Sequence, residues 1–194
     1  MKKDNSFLMA MLAAVTLAVI VILIVVTKDY RTGNNDVPDY VSVSLIDSGA
    51  RSGLPVGEVR YIVIHYSGIP GAAAEQVREK CNESDADSSP HFIIGLEGEV
   101  IQCVPLDEKA SDSDKRNRDS ISVEVCHADE SGEFTEESYA TLVKLTAWLC
   151  DTYGLTENSI IRHYDVTGME CPLYFVAHED AWTAFKADVR EQMK

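Results

Sequence analysis

The sequence predicts one α/β domain, a single mixed β-sheet flanked by helices, preceded by one N-terminal transmembrane helix. Three observations carry this expectation. Short β-branched runs alternate with stretches of helical period over residues 54–194, the pattern of helices packed on a sheet. Residues 7–26 contain no charged side chain. Hydrophobic residues make up 45% of the 194-residue chain and charged residues 25%, which is enough apolar surface for a buried core. The expected organisation is a short tail at 1–6, a membrane anchor at 7–26, a linker at 27–53 and a folded domain at 54–194.

The anchor reads FLMAMLAAVTLAVIVILIVV, with Thr16 as its one polar side chain. About 20 apolar residues at ~1.5 Å per residue cross the ~30 Å hydrocarbon core. A cleaved signal peptide competes with this reading, because Lys2 and Lys3 make a basic start. Signal peptides usually carry only ~7–15 apolar residues and end at a small-residue cleavage site. Here the longer run leads straight into Thr27-Lys28-Asp29-Tyr30, which favours an uncleaved anchor. Lys2 and Lys3 on one side are nearly balanced by Lys28 and Arg31 on the other, so charge alone barely orients the helix. The linker rests on turn-rich stretches at 32–35, 37–39 and 47–53, with one alternating stretch at 40–46 between them.

Each element of the domain follows from a local pattern. Residues 60–66 (RYIVIHY) form a β-branched run suited to a buried strand. Residues 72–81 are helix-compatible. Residues 91–104 read as a hairpin turning at Leu96-Glu97-Gly98. Residues 120–126 (SISVEVC) alternate as a strand. From 135 to 153, residues 139, 142, 143, 145–149 and 153, apolar but for Thr146, keep the helical period, with Thr135 and the acidic residues after it as a cap and Gly154 as a stop. A last strand is expected at 159–164 and a last helix at 178–193.

Charge narrows the function. Lys and Arg number 17 against 32 Asp and Glu, for a net charge of −15. Such a surface repels nucleic-acid backbones and anionic headgroups, so neither nucleic-acid binding nor electrostatic membrane docking is expected. The five cysteines are too few to build a disulfide framework. Cys81, Cys103, Cys126 and Cys150 lack metal spacing. Cys103 and Cys126 sit on neighbouring predicted strands, as two buried thiols or a disulfide.

Three residues stand out as possible ligands. His65 closes the first strand of the domain, His163 closes the last, and Cys171 follows just before Pro172. Two imidazoles and one thiolate suit a tetrahedral zinc with one position open, the form of a catalytic site. Strand-end histidines and a buried cysteine would give the same spacing without a metal. Glu124 interrupts an apolar strand and shares a face with Ser122 and Cys126. It is either a solvated outer-face residue or a buried general base.

The blocks YIVIHYSG (61–68), SSPHFIIGLEGEVIQCVP (88–105), NRDSISVEVCH (117–127) and IIRHYDVTGMECP (160–172) stand in an order and spacing that resemble one family. It is the zinc-dependent N-acetylmuramoyl-L-alanine amidases, which also include endolysins and peptidoglycan recognition proteins. The resemblance covers residues 55–190. It implies a zinc ion held by His65, His163 and Cys171, with Glu124 as the catalytic carboxylate. His91 matches a family position that is not usually a ligand, and a packing or substrate-side role is expected. The resemblance further implies peptidoglycan as substrate. Peptidoglycan lies outside the cytoplasmic membrane, so the tail at 1–6 would be cytoplasmic and the domain would face the wall from a single-pass anchor.

Two positions depart from the family pattern. Met169 stands where many members carry a lysine, and Pro90 where some carry a tyrosine before the HF dipeptide. Losing one donor to developing charge costs ~10²–10³ in rate. The alternative to an enzyme is therefore a non-catalytic peptidoglycan-binding module. A complete ligand set argues against it. Arg162 and Tyr164 flank His163 as the nearest replacements, but strand alternation points them away from the metal. The acidic stretch 107–119 is expected to be a solvated loop that can also line the substrate groove.

Overall fold

The structure is a computed structural model that describes residues 37–47 and 50–193. The anchor expected at 7–26 lies outside the described residues, as do linker residues 27–36 and 48–49. Among the described residues no helix is long and apolar enough to cross a membrane.

Six strands form one mixed sheet: β1 (Val41–Val43), β2 (Tyr61–Tyr66), β3 (Phe92–Ile94), β4 (Val100–Gln102), β5 (Ser120–Val125) and β6 (Ile160–Arg162). Their order is β1-β4-β3-β5-β2-β6. Strands β3, β5, β2 and β6 run parallel, while β4 is antiparallel to β3 and carries β1 parallel to itself. The expected single mixed sheet is thus present. Residues from 38 to 53, expected as linker, belong to the domain. Ser44 and Ile46 continue the β1 pairing through hydrogen bonds to Gln102 and Cys103, and Ile46 is fully buried. The alternating stretch at 40–46, read with its turn-rich flanks as part of the linker, contains this strand.

Both faces of the central strands are covered, which explains why β2 reads as an unbroken apolar run. On one face, Ile62, Ile64, Phe92, Ile121 and Val123 pack beneath α2 (Glu136–Tyr153), with Trp148 edge-on to Phe92. Helix α2 begins where Thr135 Oγ1 accepts the Ser138 amide, and ends at Gly154, whose φ of 63° suits glycine. Helix α5 (Glu179–Gln192) packs beside α2 through Phe185 and Trp182, which gather around Phe175. Phe175 belongs to α4 (Leu173–Ala177), a short helix that the sequence reading does not contain. On the other face, α1 (Ala74–Cys81) covers Ile93, Ile101, Cys103 and Cys126. This second face carries His65 and Glu124.

One boundary differs in a way that shapes the site. The last strand stops at Arg162 rather than 164, and His163 opens α3 (His163–Thr167). The cause is local: the Asp165 carboxylate accepts the Arg162 amide at 2.8 Å, so the chain turns into a helix. His163 is therefore the first residue of a helix, not the last of a strand.

Candidate metal centre

His65 and Glu124 are register partners on the adjacent parallel strands β2 and β5, so their side chains leave the same face side by side. His163 arrives from the β6–α3 junction. Cys171 is returned to it by a hydrogen bond from the Tyr164 amide to the Cys171 carbonyl at 2.9 Å. The ligand atoms of His65, His163 and Cys171 lie within 4.8 Å of one another. Cys171 Sγ is 3.8 Å from His65 Nδ1, and the two imidazole centres are 4.6 Å apart. Ligands of one tetrahedral zinc, bonded at ~2.0–2.3 Å, sit at separations of this order.

The chemistry of the donors fits a cation. Burial lowers the His65 pKa to about 3 and also lowers that of His163, which the neighbouring His65 lowers further. Both rings are neutral and keep a lone pair. Burial pushes the Cys171 thiol up to about 12, and a bound dication is what makes such a thiol a thiolate. The three residues can therefore hold zinc as two neutral nitrogens and one sulfur.

Glu124 opens into a cleft of about 330 Å³ lined also by Ser67, Lys80, Cys81 and Ser88. Burial first, then the charge of Asp112, raises its pKa to about 8. A partly buried carboxyl next to a cation site, facing a cleft, can accept and return a proton near neutral pH. The solvated outer-face alternative does not hold for Glu124.

The remaining expected residues separate clearly. His91 is fully buried outside the cluster, where Nδ1 accepts the Ser122 amide at 3.0 Å and Nε2 donates to the Glu108 carbonyl at 2.9 Å. It is a packing residue. Met169 is 62% exposed and Pro90 is buried. Arg162 is held by Asp165, Glu179 and the Phe175 carbonyl and lies near the Tyr164 ring, so it is committed to structure. All five cysteines are buried and none is in a disulfide, so Cys103 and Cys126 are two thiols.

The stretch 107–119 departs from the solvated-loop expectation. Asp112 and Ser113 are buried against His65, with Ser113 Oγ 3.0 Å from its Nε2. Asn117 makes this possible by accepting both their amides, at 3.2 and 2.7 Å. The sequence signal was there only as an Asn at the head of the NRDSISVEVCH block.

Residues 55–174 match the profile of a family described as N-acetylmuramoyl-L-alanine amidase. The chain belongs to this family. Among amidases of that name, CwlL of Bacillus licheniformis is 33% identical over 162 residues, covering 74% of this chain and 44% of that protein. BlyA of Bacillus subtilis (strain 168) is 28% identical over 169 residues, covering 76% and 46% respectively. The chain spans about half the length of the curated relatives it matches. The solved catalytic domain of XlyA superposes with a TM-score of 0.67 at 25% identity, covering 77% of this chain and 98% of that domain. The amidase fold thus accounts for nearly all of the described residues.

Proposed function

We propose that the chain is a membrane-anchored zinc amidase that hydrolyses the amide between N-acetylmuramic acid and L-alanine in peptidoglycan. The observation that carries this reading is the meeting of His65, His163 and Cys171 within 4.8 Å, beside a Glu124 in register with His65, in a chain of the amidase family. When bound, zinc supplies a Lewis acid that polarises the scissile carbonyl and lowers the pKa of water toward ~7. The chain's own residues do the rest. Glu124 takes the proton from the attacking water and delivers it to the departing amine of L-alanine. The cleft beside it orients the stem peptide, and the protein wall around His65 and Cys171 keeps the ligands dry. The direct test is zinc content and amide cleavage of purified peptidoglycan, measured on the same preparation. A folded chain that cleaves with no metal present would end the zinc reading.

Anchoring through residues 7–26 is the second half of the proposal, with the tail at 1–6 in the cytoplasm and the domain on the wall side. Its support is the uncharged run 7–26 and the location of the substrate. Protease added to intact cells should degrade the domain, while the membrane-bound protein keeps its N-terminus. Recovery of the protein in the medium with a new N-terminus near residue 30 would instead establish a cleaved signal.

Met169, exposed and two residues before Cys171, offers neither proton nor positive charge. Met169→Lys should raise kcat by roughly 10-fold or more, up to the ~10²–10³ that one transition-state donor is worth, and leave KM nearly unchanged. A change confined to KM would show that position 169 contacts substrate without touching the developing charge.

A further inference from the structure

We infer that Asp112, acting through Ser113, is a positioning residue that presents His65 to the metal as its Nε2–H tautomer and thereby sets the affinity of the site. The inference rests on the zinc reading above.

The geometry begins with a buried carboxylate. The side chains of Asp112 and His65 are 2% and 5% exposed, and Asp112 Oδ2 lies 3.9 Å from His65 Nε2. Among the described residues the imidazole is the one basic group within ion-pair distance of that Oδ2, and the Ser122 side chain also bonds to the carboxylate. A carboxylate so placed is costly to bury. Its other oxygen is engaged, because Ser113 Oγ donates to Asp112 Oδ1 at 2.9 Å.

The direction of that bond decides the rest. A serine hydroxyl has a single proton. With it given to Asp112, Ser113 Oγ can only accept at its 3.0 Å contact with His65 Nε2, so Nε2 must carry the ring proton. The lone pair then sits on Nδ1, the nitrogen that faces Cys171 Sγ. Metal-bound histidines are generally oriented in this way by a group on the far nitrogen. Here the group is a serine backed by a carboxylate, held in a loop that Asn117 fastens. An amide in place of the carboxylate removes the charge, and with its NH2 group toward Ser113 it reverses the polarity: it donates to Ser113, Ser113 donates to Nε2, and the ring proton moves to the metal side.

The test uses the full chain. Zinc dissociation constants are measured by competition with a chelator, and the His65 tautomer is read in the metal-free protein from long-range proton–nitrogen NMR correlations. Asp112→Asn should weaken zinc binding by ~10–100-fold, the usual worth of such a partner, and convert His65 to the Nδ1–H form. Ser113→Ala should weaken zinc binding less, and Ser113→Thr should restore it. Wild-type zinc affinity and an unchanged Nε2–H tautomer in Asp112→Asn would overturn the inference while leaving the zinc reading intact. A wild type that binds no zinc overturns both. Should Asp112→Asn fail to fold, Ser113→Ala decides, since it removes one hydroxyl: unaltered affinity and tautomer count against the inference.

Discussion

Cys171→Ala is expected to reduce zinc from about one ion per chain to nearly none and to bring amide cleavage down to background. The argument is one of ligand count. Three protein donors are the minimum of a catalytic zinc site, and two histidines alone leave the ion to water. His163→Ala should have the same outcome for the same reason. The two variants differ in what else they disturb. His163 is half-buried at the start of α3, whereas Cys171 is buried in the loop fastened to Tyr164. Folding should nevertheless survive in both, because the hydrophobic core around Phe92, Leu145 and Phe185 lies on the opposite face of the sheet. Far-UV circular dichroism would check this. Cys171→Asp should keep more zinc than Cys171→Ala, since a carboxylate oxygen is also an accepted ligand. Chelation of the wild type should abolish cleavage, and added zinc should restore it. Full activity in zinc-free Cys171→Ala would remove the metal from the reaction.

The residues of this centre were readable in the sequence to an uneven degree. His65 and Glu124 follow from strand patterns, because a polar residue inside an apolar, two-sided strand stands out against its neighbours. Their adjacency depends on the parallel register of β2 with β5, which no local pattern encodes. His163 was legible as a residue but not as a conformation. The β-branched run before it continues toward a strand, and only the Asp165 side chain capping the Arg162 amide turns it into a helix. Asp112 and Ser113 were hidden altogether: in an acidic stretch, composition predicts solvent, and burial there depends on Asn117 tying the loop inward. Strand β1 showed only as the alternating stretch at 40–46, which the turn residues beside it made read as linker. Its place at the sheet edge depends on long-range pairing with β4. In each case the missing information is non-local or rests on one side-chain hydrogen bond.

Glu124→Gln is expected to keep the zinc and the fold while lowering turnover by ~10²–10⁴, the usual contribution of acid–base catalysis. The substitution preserves size and hydrogen-bonding shape, so the cleft and the packing against β2 should be undisturbed. What it removes is an exchangeable proton held at a tuned affinity. Burial and the Asp112 charge raise the Glu124 pKa to about 8, and a dication at the adjacent ligand set pulls it back down, toward the neutral range where one group can both take and give a proton. Loss of that group should fall on kcat, with KM little changed, because the proton moves in the transition state and not in the bound ground state. The same experiment separates an enzyme from a recognition module of the same fold. A wild type that shows no cleavage, and binds muropeptides as tightly as Glu124→Gln does, would identify a binding protein that retains the groove. A wild type that cleaves as fast as Glu124→Gln would place the proton transfer on another group, and Glu124 would then be a wall of the cleft. The expected result is an active wild type and a zinc-loaded, folded variant that binds substrate but turns it over at least a hundred-fold more slowly, the lower end of the ~10²–10⁴ range for a lost general base.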